Sequence, residues 1–104
     1  MEMIKDLAPR ELVNGITGYY RHATDMTFGL VQIKAGTQMA AHNHVHEQIT
    51  YMIDGEMEMQ IGDETVLLKP GAVQVIPSNV VHSARAITEC QLIDVFSPIR
   101  EDYR

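Results

Sequence analysis

Turn pairs cut this chain into short pieces, and that punctuation limits the possible fold more than any other feature. Asp54-Gly55, Gly62-Asp63 and Pro70-Gly71 recur at intervals of about ten residues, the rhythm of an all-β sandwich or barrel. Between the first two, Glu56-Met-Glu-Met-Gln-Ile61 alternates strictly, as a half-buried strand must. Similar runs are Met26 to Ile33, Gln48 to Asp54, Glu64 to Leu68, Ala72 to Ile76, Val80 to Ala86 and Cys90 to Phe96. No helical stripe competes with them, and only the first dozen residues suit a short helix. The expectation is all-β. A small barrel of this kind can hold one ligand in its mouth.

The chain has 104 residues, enough for a modest core and one domain spanning 1–104. Its net charge of −6 and the lack of a Lys/Arg cluster disfavour a nucleic-acid partner. No stretch approaches the ~20 apolar residues of a membrane helix. The segment from Met1 to Glu11 has no apolar run suited to a signal peptide. Cys90 is the single cysteine, which excludes an intrachain disulfide and suits a reducing, cytoplasmic setting.

Chemistry concentrates in two segments. His42-Asn43-His44 precedes Gln48, and His82 follows the turn at Pro77. Residues i and i+2 of a strand share a face, with Cβ atoms ~6–7 Å apart. His42 and His44 can thus close on one ion from a single strand edge, and Gln48 has the same parity. Three imidazoles and an amide oxygen suit one divalent transition ion (Zn, Ni, Fe, Mn or Cu). His46 shares the parity but is expected at the rim, because four adjacent imidazoles cannot all reach one ion. His22 has no partner in sequence and is expected at the surface.

These residues stand as Gly36-x5-His42-x-His44-x3-Gln48-x6-Gly55 and Gly71-x5-Pro77-x4-His82. The pair resembles the two motifs of the cupin superfamily, whose fold is a double-stranded β-helix, or jelly-roll barrel. The resemblance implies a cupin domain with its barrel core at about 26–97. There are three departures. Gln48 stands where the usual motif has Glu, and Asn79 and Ala86 stand where the second motif has Gly and Asn. Gln48 brings no charge to an ion, which then remains the stronger Lewis acid and departs from the two-histidine, one-carboxylate set of many iron oxygenases.

A narrower resemblance rests on His44-Val-His-Glu-Gln48, Ile76-Pro-Ser-Asn79, His82-Ser-Ala-Arg85 and Asp94-Val-Phe-Ser-Pro-Ile-Arg-Glu-Asp-Tyr103. Together these look like the KdgF-type cupins of pectin degradation. That family opens the ring of 4,5-unsaturated monouronates to a linear 5-keto-4-deoxyuronate. It implies metal ligation by His42, His44, Gln48 and His82, with Asp94, Phe96 and Arg100 serving the reaction on a small anionic substrate. Homodimers are implied too, since small cupins usually pair. Two other readings of the site are an iron or manganese dioxygenase and a non-catalytic metal and sugar-acid binding protein.

Alternation adds an independent reading of Asp94. Leu92, Asp94 and Phe96 share one face of a strand whose two faces are both largely apolar. A carboxylate there needs a cation, a hydrogen-bond donor or a chemical task. Arg85 and Arg100 are the candidate counter-ions, and a general acid or base aimed into the cavity is the functional alternative. Arg100 is either a solvated tail charge or a fork for a substrate carboxylate. Met26, Met39, Met52, Met57 and Met59 are expected in the core or a pliable interface. The outer face of Gln48 to Ile53 is apolar enough to need a cover.

Overall fold

A computed structural model describes residues 1–104. Ten strands make up nearly all of its regular structure: β1 (Arg10–Val13), β2 (Ile16–His22), β3 (Thr27–Ile33), β4 (Gln38–His42), β5 (Glu47–Asp54), β6 (Met57–Ile61), β7 (Glu64–Leu68), β8 (Val73–Ile76), β9 (His82–Ala86) and β10 (Cys90–Ser97). Single 3-10 turns occupy Ile4–Asp6 and Glu101–Tyr103. One sheet has the order β1-β2-β3-β10-β5-β8 and the other β4-β9-β6-β7. All strand pairings are antiparallel. The two sheets face each other as a jelly roll, with fourteen buried residues between them. No helix is long and apolar enough to cross a membrane.

The alternation expected from sequence is what the strands bury. Met57, Met59 and Ile61 of β6 point inward while Glu58 and Gln60 face water. Gln48, Thr50 and Met52 of β5 are inward, and Leu92 and Phe96 of β10 are buried, with Asp94 between them. Asn79 has φ +66°, the left-handed region that glycine usually fills and asparagine tolerates better than most residues. The replacement of the motif glycine is therefore conservative in backbone terms. Gly55, at φ +92°, has a second reason to be glycine: a Cβ there would stand 2.2 Å from the Glu89 carbonyl oxygen.

Some expectations fail. Met26 is 53% exposed, which excludes the core among the two places expected for it. His22 is not a free surface residue. Its Nε2 donates to the Tyr103 carbonyl at 3.3 Å, and its Nδ1 accepts from the Thr27 hydroxyl at 2.8 Å. Thr27 Oγ1 in turn accepts the backbone N–H of Arg100 at 2.9 Å. This relay, together with Arg10 donating to the backbone oxygens of Asp102 and Arg104, straps the C-terminal residues across one end of the barrel. Sequence spacing could not reveal it, because the partners are about eighty residues apart.

Tyr20 lies at the same end. Its ring lies over Gly18 and Gly29 and stacks on Tyr103 with centroids 4.7 Å apart. Burial first, then Tyr103 and Asp94, raise the Tyr20 phenol above its ordinary range. The folded state thus holds this proton more tightly than the unfolded chain does. The resulting stabilisation is complete below about pH 10, the unfolded phenol's value, and is lost as pH climbs beyond it. Tyr20→Phe is expected to flatten the alkaline side of the stability profile. Thermal melts of parent and variant on both sides of that pH check this, and parallel profiles would refute it.

Candidate metal centre and cavity

The candidate metal ligands come from four places that the fold brings together. β4 ends at His42, so His42 and His44 do not share a strand edge as the sequence suggested. His44 sits in the crossover between the sheets, Gln48 near the start of β5, and His82 at the start of β9. His82 pairs directly with His42 across β4 and β9. The crossover is clamped by the second motif. The backbone N–H of Asn79 donates to the His44 carbonyl at 2.8 Å, and the Ser78 hydroxyl donates to the Val45 carbonyl. One ring nitrogen from each of His42, His44 and His82 lies within 4.8 Å of the others.

Each ring is oriented by its own backbone. Nδ1 of His42 bonds to the Ala40 carbonyl at 3.0 Å, that of His44 to the His46 carbonyl at 2.9 Å, and that of His82 to the Val80 carbonyl at 2.9 Å. A carbonyl can only accept, so Nδ1 carries a proton, and in a neutral ring Nε2 then has the lone pair. This is how metal-binding histidines are commonly held. Burial lowers the pKa of His44 and of His82, and Arg100 adds to the effect at both. Both rings are thereby kept neutral and able to ligate.

Gln48 provides the test of fit. Its Nε2 donates to the Thr50 hydroxyl at 3.0 Å and to Asp94 Oδ1 at 3.1 Å. Its Oε1 consequently faces His44 Nε2 at 3.2 Å. In the neutral tautomer just described both atoms are acceptors, so lone pair opposes lone pair. A cation beside them turns that repulsion into coordination. Three imidazole nitrogens and one amide oxygen therefore fit a divalent transition ion.

The cavity behind this cluster is apolar, lined by Ile16, Val31, Ile33, Met57, Met59 and Leu92 among others. Asp94, Phe96, Arg100 and Tyr103 also line it. Asp94 pairs with neither candidate counter-ion. Thr50 Oγ1 donates to its Oδ1 at 2.7 Å alongside Gln48, while Arg85 is exposed on the other sheet. Burial lifts the Asp94 carboxyl to about 6, against the pull of Thr50, Gln48 and Arg100. Its Oδ2 takes no hydrogen bond from the protein.

Arg100 is not a solvated tail charge. It is 6% exposed, with its guanidinium carbon 3.9 Å from the Tyr103 ring centroid and 4.7 Å from that of Phe96. Nε and Nη2 fork onto Asp102 at 3.0 and 2.8 Å, leaving Nη1 without a protein partner. That pairing holds the Asp102 carboxyl below the usual range. His46 stands at the rim, with its Nε2 on the Ile99 carbonyl at 3.2 Å. Sequence reading passed over Thr50 and Tyr103 as site residues. Thr50 shares the parity of Gln48 and could have been found that way; Tyr103 ends the tail segment that begins at Asp94, but no local pattern places its ring in the cavity.

Fold and site together define a cupin. The family model described as "Cupin domain" matches residues 29–96, and the chain belongs to that family. Within it, the chain resembles KdgF in particular. The pectin degradation protein KdgF of Dickeya dadantii (strain 3937) is 33% identical over 81 residues, covering 76% of this chain and 74% of that one. The structure of KdgF from Halomonas sp. superposes with a TM-score of 0.90 at 28% identity, covering 98% of this chain and 96% of that one. The L-ectoine synthase of Oceanobacillus iheyensis is 37% identical over 68 residues, or 64% of this chain and 53% of that one.

Proposed function

We propose that this cupin is a metal-dependent enzyme that opens the ring of a 4,5-unsaturated monouronate, giving a linear 5-keto-4-deoxyuronate. The supporting observation is the free Oδ2 of Asp94, presented in a cavity that also holds three imidazoles, the Gln48 amide, the Thr50 hydroxyl, Arg100 and Tyr103. His42, His44, Gln48 and His82 would hold the ion. A bound divalent cation supplies Lewis-acid polarisation of substrate oxygens. Asp94 Oδ2 takes the proton of the anomeric hydroxyl as the bond from the anomeric carbon to the ring oxygen breaks. That step leaves one open chain with an aldehyde at one end and an enolate at the other, and the proton on Asp94. Return of that proton to the enolate carbon gives the ketone and restores the carboxylate, so the reaction is an isomerisation with no net loss of atoms. Arg100 holds the substrate carboxylate through Nη1, since Nε and one N–H of Nη2 are committed to Asp102. Phe96 packs against the sugar ring. A single buried thiol at Cys90 accords with a cytoplasmic enzyme.

The expected result is loss of the ultraviolet absorbance of the conjugated double bond when the metal-loaded protein meets unsaturated monouronate. Removing the ion with a chelator should stop the reaction, and restoring it should bring it back. An unchanged absorbance with bound sugar acid would identify a binding protein. Oxygen uptake on phenolic or thiol substrates would identify a dioxygenase.

We also infer a homodimer. Val73 and Val75 of β8, Ile49, Tyr51 and Ile53 of β5, and Phe28 of β3 are all exposed on the outer face of the larger sheet. Ile93 and Val95 of β10 bridge them in register. An apolar face this broad, ending in the unpaired edge of β8, is what a second copy would cover. Sedimentation should give twice the chain mass for the parent, and the chain mass for Ile49→Lys/Val75→Lys. A monomeric parent would exclude the dimer.

A further inference from the structure

A buried glutamine side chain can turn its amide over unless something holds it, and Gln48 is buried. The two ends of a primary amide are nearly the same size, so packing cannot distinguish them; only hydrogen bonds can. The choice decides the chemistry. With Oε1 toward His44 the side chain is a ligand, whereas with the NH2 there it repels a cation.

Thr50 sits directly across from Asp94 in the β5–β10 register and is 1% exposed. Its hydroxyl has one proton, which goes to Asp94 Oδ1 at 2.7 Å. Only lone pairs of Oγ1 therefore remain to face Gln48, 3.0 Å away. Asp94 Oδ1 meets the same amide nitrogen at 3.1 Å. A flipped amide would put its oxygen against both of these acceptors at once. The hydroxyl also tethers Asp94, so that its Oδ1 stays on Gln48 and its Oδ2 stays turned to the cavity.

We propose that Thr50 is a positioning residue: by donating to Asp94 and accepting from Gln48, its hydroxyl holds the Gln48 oxygen toward the three imidazoles. This rests on the metal reading and deepens it. It explains why a threonine occupies a fully buried position on β5 that valine would fill equally well by shape. It also accounts for the neutral Gln48 where the motif has Glu. A carboxylate at position 48 would set an acceptor against the same two acceptors that now anchor the amide nitrogen.

The test is cobalt binding to the metal-free protein, followed by competition with a chelator and by the visible spectrum of the ion. Replacing groups that orient a metal ligand typically weakens binding about 10–100-fold, and that loss is expected for Thr50→Val. The visible spectrum should change with it as the amide oxygen leaves the ion. Thr50→Ser keeps the hydroxyl and should bind within about threefold of the parent. If the valine variant does not fold, Thr50→Ser against Thr50→Ala makes the same comparison, since these differ by the hydroxyl alone. Parent-like affinity and spectrum in Thr50→Val would overturn the proposal. So would equal weakening by serine and alanine, which would make the methyl group and its packing responsible. A parent that takes up no cobalt overturns the metal reading itself, and this inference with it. Failure to turn over uronate, with cobalt binding intact, would overturn only the proposed substrate.

Discussion

Asp94→Asn is expected to keep the ion and lose the reaction. The asparagine oxygen can take the place of Oδ1 and go on accepting from Gln48 Nε2 and the Thr50 hydroxyl, so the amide oxygen of Gln48 still faces the imidazoles. The change falls at Oδ2, which becomes an NH2 that cannot accept a proton. Removing a positioned proton carrier typically costs about 10²–10⁴ in rate, and turnover of unsaturated monouronate should fall by that much. Cobalt affinity should stay close to that of the parent. The pairing of the two measurements matters, since loss of both would make Asp94 a structural support for the ligands. A variant that turns over as fast as the parent would remove Asp94 from the mechanism.

Gly29→Ala should produce a large loss of stability from a small change. A Cβ on Gly29 would lie 2.5 and 2.7 Å from Cε1 and Cδ1 of Tyr20. The ring has little freedom to give way. A Cβ on the neighbouring Gly18 would be just as close to it, and Tyr103 stacks on it. The ring must lift toward Tyr103 and Arg100, which line the cavity. Overpacking of this kind costs about 1–3 kcal/mol, and each kcal/mol lowers the melting temperature by roughly 4–8 °C in a chain of this size. The proof is a double-mutant cycle with Tyr20→Leu, which removes the obstructing ring. Gly29→Ala should be much milder in that background. Equal costs in both backgrounds would mean that the ring contact is not the cause.

These two positions differ in how far they could be read beforehand. Asp94 was legible, because alternation along Leu92-Ile-Asp94-Val-Phe96 assigns it to the face of two apolar neighbours. Its partners were not, since Thr50 lies over forty residues away and neither arginine reaches it. Gly29 gave no signal in sequence beyond being a glycine in a strand. Its need to be one comes from a tyrosine on the adjacent strand. Arg100 was legible as a charge near the chain's end, and its burial between Phe96 and Tyr103 was not. That burial depends on the strap made by His22, Thr27 and Arg10.

The sequence by itself determined seven of the ten strands, the alternation of their faces, and the three histidines and the glutamine as candidate ligands. Those properties are local: a period of two residues and turn pairs with a fixed backbone preference act through neighbours in the chain. Tertiary structure alone decided that His42 and His44 leave different elements, which end of the Gln48 amide faces the imidazoles, and which oxygen of Asp94 is free. Each of these depends on a hydrogen bond between strands distant in sequence. Side-chain orientation at a buried site is set by whichever donors and acceptors the fold places opposite it.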